Sequence, residues 1–276
     1  MAHNPTIQER MMAAELRRLR ETTGHTGQRV ADLIGFSLSK ISRLESAKRG
    51  LKIEDVAALL TLYGIANPDR EALLDLCRPS PAQGWCPAAR ELPGVHAHLE
   101  SDATTVTVVD ILTIPGPLQT EDYTRHLCDA LRLTPEEATR RVACRRGRST
   151  VLLGDQSPHA TLLVGQDALH RVVGSREVMA AQYEYLLDLA RRESVAFRVA
   201  PATAAVGVSG FVLCEYENQS PVVVLETPVA VVFADQAPET GYYRGVIEVL
   251  LDAALNPSDS TGYVAELLRR QRKGDL

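Results

Sequence analysis

The chain of 276 residues carries 30 Lys or Arg against 35 Asp or Glu, a net charge of −5, which excludes a protein that coats nucleic acid along its whole length. A hydrophobic content of 45% supports packed cores, and the length has room for one small and one larger domain. No apolar run of about 18 residues occurs, the N-terminal MAHNPTIQERMM lacks the basic-then-apolar pattern of a secretory signal, and the five cysteines include no CxxC pair. Together these predict a cytoplasmic protein with free thiols and no membrane association.

The charge is unevenly placed. Residues 1–50 hold nine Lys or Arg and five acids, an excess of four positive charges that leaves −9 for the rest. Phosphate contact is therefore expected at the N-terminal end. Glu9 to Thr22 predicts a first helix with Met12, Leu16 and Leu19 as its core stripe. Arg17, Arg18 and Arg20 lie off that stripe, either solvated or near a DNA backbone. Gln28 to Ile34 predicts a second helix with Val30, Ala31, Leu33 and Ile34 apolar, and Gly35 stops it, because glycine adopts positive φ without steric cost. Ser37 then caps a third helix, in which Leu38, Ile41 and Leu44 share a face by their spacing of three. Ser39, Lys40, Ser42 and Arg43 occupy the opposite side. Short hydroxyls and long cations are suited to base edges and phosphates in a major groove.

Ala31, Gly35, Ile41 and Leu44 keep the spacing Ala-x3-Gly-x5-Ile-x2-Leu, and ISRLE ends the motif at Glu45. This resembles the helix-turn-helix of the Cro/cI-type (xenobiotic-response-element) repressors over about Glu9 to Cys77. The resemblance implies a five-helix DNA-binding domain acting as a dimer on double-stranded DNA. It carries over as DNA contacts Gln28, Ser37, Leu38, Ser39, Lys40, Ser42, Arg43, Lys48 and Arg49. Arg43 either reads guanine or pairs with a carboxylate, Leu38 either reaches a thymine methyl or joins the core, and Glu45 is expected to fix the domain through a salt bridge. Two departures stand out. Gly27 occupies a position where relatives often have glutamine, and Ala47 one where many have glycine.

Val56, Leu59, Leu60 and Tyr63 make the stripe of a fourth helix, and Pro68 with Asp69 opens a fifth that runs to about Cys77. Residues 78–94 hold Pro79, Pro81, Gly84, Pro87, Pro93 and Gly94 and predict a linker, which Trp85 within it is expected to pack onto a domain. The domains expected are 1–77, the linker 78–94, and 95–276. In the last, Ala97 to Asp102 predicts a short helix, Thr104 to Ile114 a strand, and helices start near Gln119 and at Pro135. Thr161 to Val164 and Val195 to Val199 predict strands around a helix at Arg176 to Arg192, whose inner side carries Met179, Tyr183, Leu186, Leu187 and Leu189. Phe211 to Tyr216, Val222 to Glu226 and Val229 to Phe233 predict an antiparallel set, with turns at Asn218 to Ser220 and Thr227–Pro228. Helices near Glu239 to Leu255 and Ser260 to Arg272 end the chain. The fold class is multidomain: an all-α helix-turn-helix domain followed by an α+β domain with a small mixed or antiparallel sheet.

TIPGPLQTEDYTRHL, Thr113 to Leu127, resembles the signature of an uncharacterised domain that commonly follows a Cro/cI-type helix-turn-helix in actinobacterial regulators, some described as antitoxin-like. The resemblance, over about Trp85 to Arg272, implies a small protein partner or a small-molecule effector. The alternative it implies is an antitoxin-like protein that binds a neighbouring-gene partner and represses its own operon.

GxSxG and P-loop patterns are absent, so no enzyme, cofactor or metal is expected. His96 and His98, two apart, suit neither HExxH nor a zinc finger. Cys144 stands among Arg140, Arg141, Arg145 and Arg146, where cations would lower a thiol pKa. With Arg148 these arginines form either an anion site or a solvated face, and the solvated face is the plainer reading. Asp102, Asp110 and Asp155 show no basic partner.

Overall fold

A computed structural model describes residues 5–48, 50–77, 97–154, 157–204, 207–226 and 231–273, with the backbone at 85–86 and 95–96. Arg49, Asp155, the Thr227–Pro228 turn, the start of the last strand at Val229, and the expected linker apart from the backbone of Trp85 and Cys86 lie outside the described residues, as do the side chains of Trp85 and His96. The chain packs as two units: Met1–Leu99 with Glu226–Ala234, and Glu100–Leu225 with Asp235–Leu276.

The first unit is built from α1 (Ile7–Thr22), α2 (Gly27–Ile34), α3 (Leu38–Glu45), α4 (Ile53–Leu62) and α5 (Asp69–Leu76). A capping box starts α1, with Thr6 and Glu9 exchanging side-chain and backbone hydrogen bonds. Packing joins α1 to α3, α4 and α5, and α2 to α3 and α4. Met11, Met12, Leu16, Ala31, Ile41, Leu44, Val56, Leu59, Leu60 and Tyr63 are all buried. Burial of each larger aliphatic among them contributes about 1.5–3 kcal/mol. Of the two readings open for Leu38 the core one falls away: Leu33 and Leu38 are 45% and 49% exposed, so each short helix gives the core only two residues, Val30 and Ala31 from α2 and Ile41 and Leu44 from α3. An eight-residue helix wedged into a corner has one narrow inward edge. A short strand, β1 (Trp85–Cys86), pairs antiparallel with β7 (Val231–Ala234) in the same unit. The helix α6 (Val95–Ser101) follows β1.

The second unit holds β2 (Thr105–Asp110), α7 (Glu121–Ala130), α8 (Pro135–Leu153), β3 (His159–Gly165), α9 (Gln166–His170), α10 (Arg176–Leu189) and β4 (Val195–Ala200). Then come β5 (Phe211–Glu215), β6 (Val222–Glu226), α11 (Ala237–Ala253) and α12 (Pro257–Lys273). Its sheet has the order β6-β5-β2-β3-β4. β2, β3 and β4 run parallel, while β5 and β6 add antiparallel neighbours, so the sheet is mixed. The turn through Asn218 to Ser220 joins β5 to β6, and the two crossovers carry α7 with α8 and α9 with α10. Near-continuous burial along β3 and β5 marks strands covered on both faces.

Two sequence expectations change here, and one helix, α9, had not been expected. β2 ends at Asp110, not Ile114, because the Asp110 carboxylate accepts from the Leu112 and Thr113 N–H groups at 3.0 and 3.1 Å and pulls the chain into a turn. Leu187 is half-buried, and Gln182 takes the inward place on α10. The five-residue α9 was too short to leave a periodic signal.

Candidate nucleic-acid interface

The turn between α2 and α3 follows from its local chemistry. Thr26 accepts from the Arg29 N–H to cap α2. Gly35 ends it in the left-handed region at φ 71°. Ser37 accepts from the Lys40 N–H at 3.2 Å to cap α3. Buried Ala31 leaves room for the close approach of the two helices.

Ion pairs hold α3 from behind. Arg20 of α1 grips Glu45 with two hydrogen bonds of 2.7 and 3.0 Å and also donates to the His25 carbonyl. Glu45 therefore fixes the domain, as expected, and the pairing raises the pKa of Arg20 further. Burial, followed by the Glu45 charge, pushes the neighbouring Tyr63 hydroxyl up to about 12. Arg17 pairs with Glu21 and Arg18 with Glu15, so this arginine row is largely engaged within α1.

The outward side is open. Ser37, Leu38, Ser39, Ser42, Arg43 and Lys48 are exposed. Arg43 makes one long contact, 3.4 Å to Ser39 Oγ, and meets no carboxylate among the described residues. Gln28 is exposed and donates to Asp32 at 2.8 Å. Lys40 differs from the rest. Its ammonium lies 2.7 Å from Asp55 of α4 and 3.4 Å from the Phe36 ring centroid, so it is engaged inside the domain. Arg29, absent from the expected contact set, stands exposed in the first turn of α2 with no carboxylate partner among the described residues. Its place three residues after the Thr26 cap was the signal available. The face as a whole can donate to phosphates and base edges, and it bears no exposed carboxylate on α3.

The arginine group of α8 divides. Arg148 is buried and binds Glu100 with contacts of 2.5, 2.9 and 3.2 Å, which removes it from any surface anion site. Arg145 donates to Gln119 and, at 3.1 Å, to Thr124. Arg140 and Arg146 remain exposed. The Thr113 to Leu127 stretch is likewise spent on structure. Gln119 donates to the Ile114 carbonyl, while Gln182 accepts from the Thr120 N–H and donates to the Leu118 carbonyl. Among the described residues no cluster of His, Cys, Asp and Glu could hold a metal ion, and no helix is long and apolar enough to cross a membrane.

A five-helix unit with this turn and this outward face defines a helix-turn-helix DNA-binding protein. Residues 12–73 match the family described as Helix-turn-helix domain. Residues 94–266, well over half of the chain, match Domain of unknown function (DUF5753), and the chain belongs to that family. No curated protein and no solved structure was found to match it.

Proposed function

We propose that the protein is a sequence-specific transcriptional regulator of Cro/cI type that acts from the cytoplasm as a homodimer. In this reading α3 lies in the major groove, and the second unit binds a small-molecule effector or a small protein partner. The observation that carries it is Arg43: exposed on α3, with no carboxylate partner among the described residues, and 3.4 Å from the Ser39 hydroxyl. A free guanidinium there can bond guanine O6 and N7 together, a contribution of about 1–3 kcal/mol to discrimination. Dimerisation follows from reach, since one such unit covers one half-site and its symmetry mate the next, about one helical turn away.

The test is to select DNA sites from a random pool with the full chain, then titrate wild type and Arg43→Ala against the selected site at several salt concentrations. Expected are a two-fold-symmetric site, salt-dependent binding, and loss of preference at one base pair per half-site in the variant. Binding without sequence preference in the wild type would refute the proposal. Repeating the titration with any small protein encoded beside this chain separates the effector reading from the antitoxin-like one, which requires such a protein to bind and change operator affinity.

A further inference from the structure

Leu38 is the first residue of α3, flanked by exposed Ser37 and Ser39, and it is 49% exposed although leucine ordinarily goes inward at such a position. Its inner side is seated. A β-carbon built on Gly27 would lie only 3.2 Å from Leu38 Cδ1 and 3.9 Å from Ile41 Cγ2. The isobutyl group thus rests against the first turn of α2, where the neighbouring residue has no side chain, and its outer half faces away from the domain. A side chain supported on one side and bare on the other can present a fixed apolar surface. It stands at the end of α3 that enters deepest when a recognition helix docks. The one apolar feature on a major-groove edge is the thymine C5-methyl.

We propose that Leu38 is a specificity-determining residue that selects thymine by contact with its methyl group, at a base pair distinct from the one Arg43 reads. The inference rests on the proposed placement of α3 in the major groove. Gly27 is a positioning residue in it, since its missing side chain is the seat that holds Leu38. The contact carries no charge, so it changes base preference and leaves the salt dependence of binding alone.

The experiment replaces each thymine of the selected site, one at a time, with deoxyuridine, which removes only the methyl. Wild type is expected to lose about fourfold in affinity at one thymine per half-site, the effect of one buried methyl. Leu38→Ala should bind the thymine and deoxyuridine sites equally at that position, and Leu38→Met, which keeps an apolar tip, should restore the difference. Both variants should keep the wild-type salt slope and the guanine preference. A wild type indifferent to every methyl, or a Leu38→Ala variant that keeps the wild-type pattern, overturns the assignment to Leu38 while the regulator reading stands. Failure to select any site removes both.

Discussion

In the first unit, Ser39, Ser42, Arg43 and Lys48 stand exposed on or just after α3, and the side-chain contacts of Ser39 with Ser37 and of Arg43 with Ser39 are both 3.4 Å long. In the second unit, the polar groups of the family-like stretch are consumed. Gln119, Thr120, Thr124 and Arg145 bond one another or nearby carbonyls, and Gln182 and Arg148 are buried. Unsatisfied surface donors cost nothing in water and are available to a ligand, whereas buried ones must find partners as the chain folds. A conspicuous sequence signature can therefore mark a recognition surface in one unit and an internal brace in the other.

The largest effect that would break this comparison is expected at Arg148. Arg148→Ala takes the guanidinium away from the buried Glu100 carboxylate and should cost about 3–5 kcal/mol, read by urea denaturation. A loss under about 1 kcal/mol would mean the pair is effectively solvated, and the contrast between the units would disappear.

Glu15 is the exception in the first unit, a buried carboxylate between Arg18 and His98. Burial raises its pKa, but the hydrogen bonds from Arg18 and then His98 outweigh that, and the folded value lies below 4.5. A lowered folded pKa stabilises the protein above the unfolded value, and the contribution is lost as pH falls from there through the folded value. Stability should therefore decline in acid below about pH 4.5. Glu15→Gln should flatten that part of a thermal-midpoint profile against pH; an unchanged profile would remove Glu15 from the account.

Lys40 and Lys48 sharpen the contrast within one surface. Lys40→Met should cost at most about 1 kcal/mol of stability by losing the Asp55 pair, and leave the slope of log affinity against log salt unaltered. Lys48→Met should leave stability alone and lower that slope by about 0.9, one phosphate contact. Equal slope changes for both would show that Lys40 leaves Asp55 to meet DNA.

The smallest effect is expected at Ala47, which is buried and held at φ 52° in the left-handed region. Relief of about 1–2 kcal/mol in Ala47→Gly is offset by a lost methyl of about 0.8 kcal/mol and by glycine's entropy, about 0.5–1 kcal/mol. The melting temperature should stay close to wild type, in contrast to the clear loss expected of Ala31→Gly inside α2.

What was legible in the sequence was whatever depends on neighbours along the chain. The five helices of the first unit, the Gly35 stop, the Ser37 cap and most core stripes follow from periodicity and capping, which act within a few residues. The mixed sheet was legible only as a class, since alternation and β-branched runs mark strands without stating their partners. Tertiary structure alone decided that β2, β3 and β4 run parallel, that Leu33 and Leu38 stay outside the core, and that Lys40 turns to Asp55 while Arg43 stays free. It also decided that Arg148 leaves its arginine neighbours for Glu100, 48 residues away. Each of these depends on which distant surfaces meet and exclude water. A cation's fate is set by whether a carboxylate from another element arrives beside it, and local spacing carries no record of that.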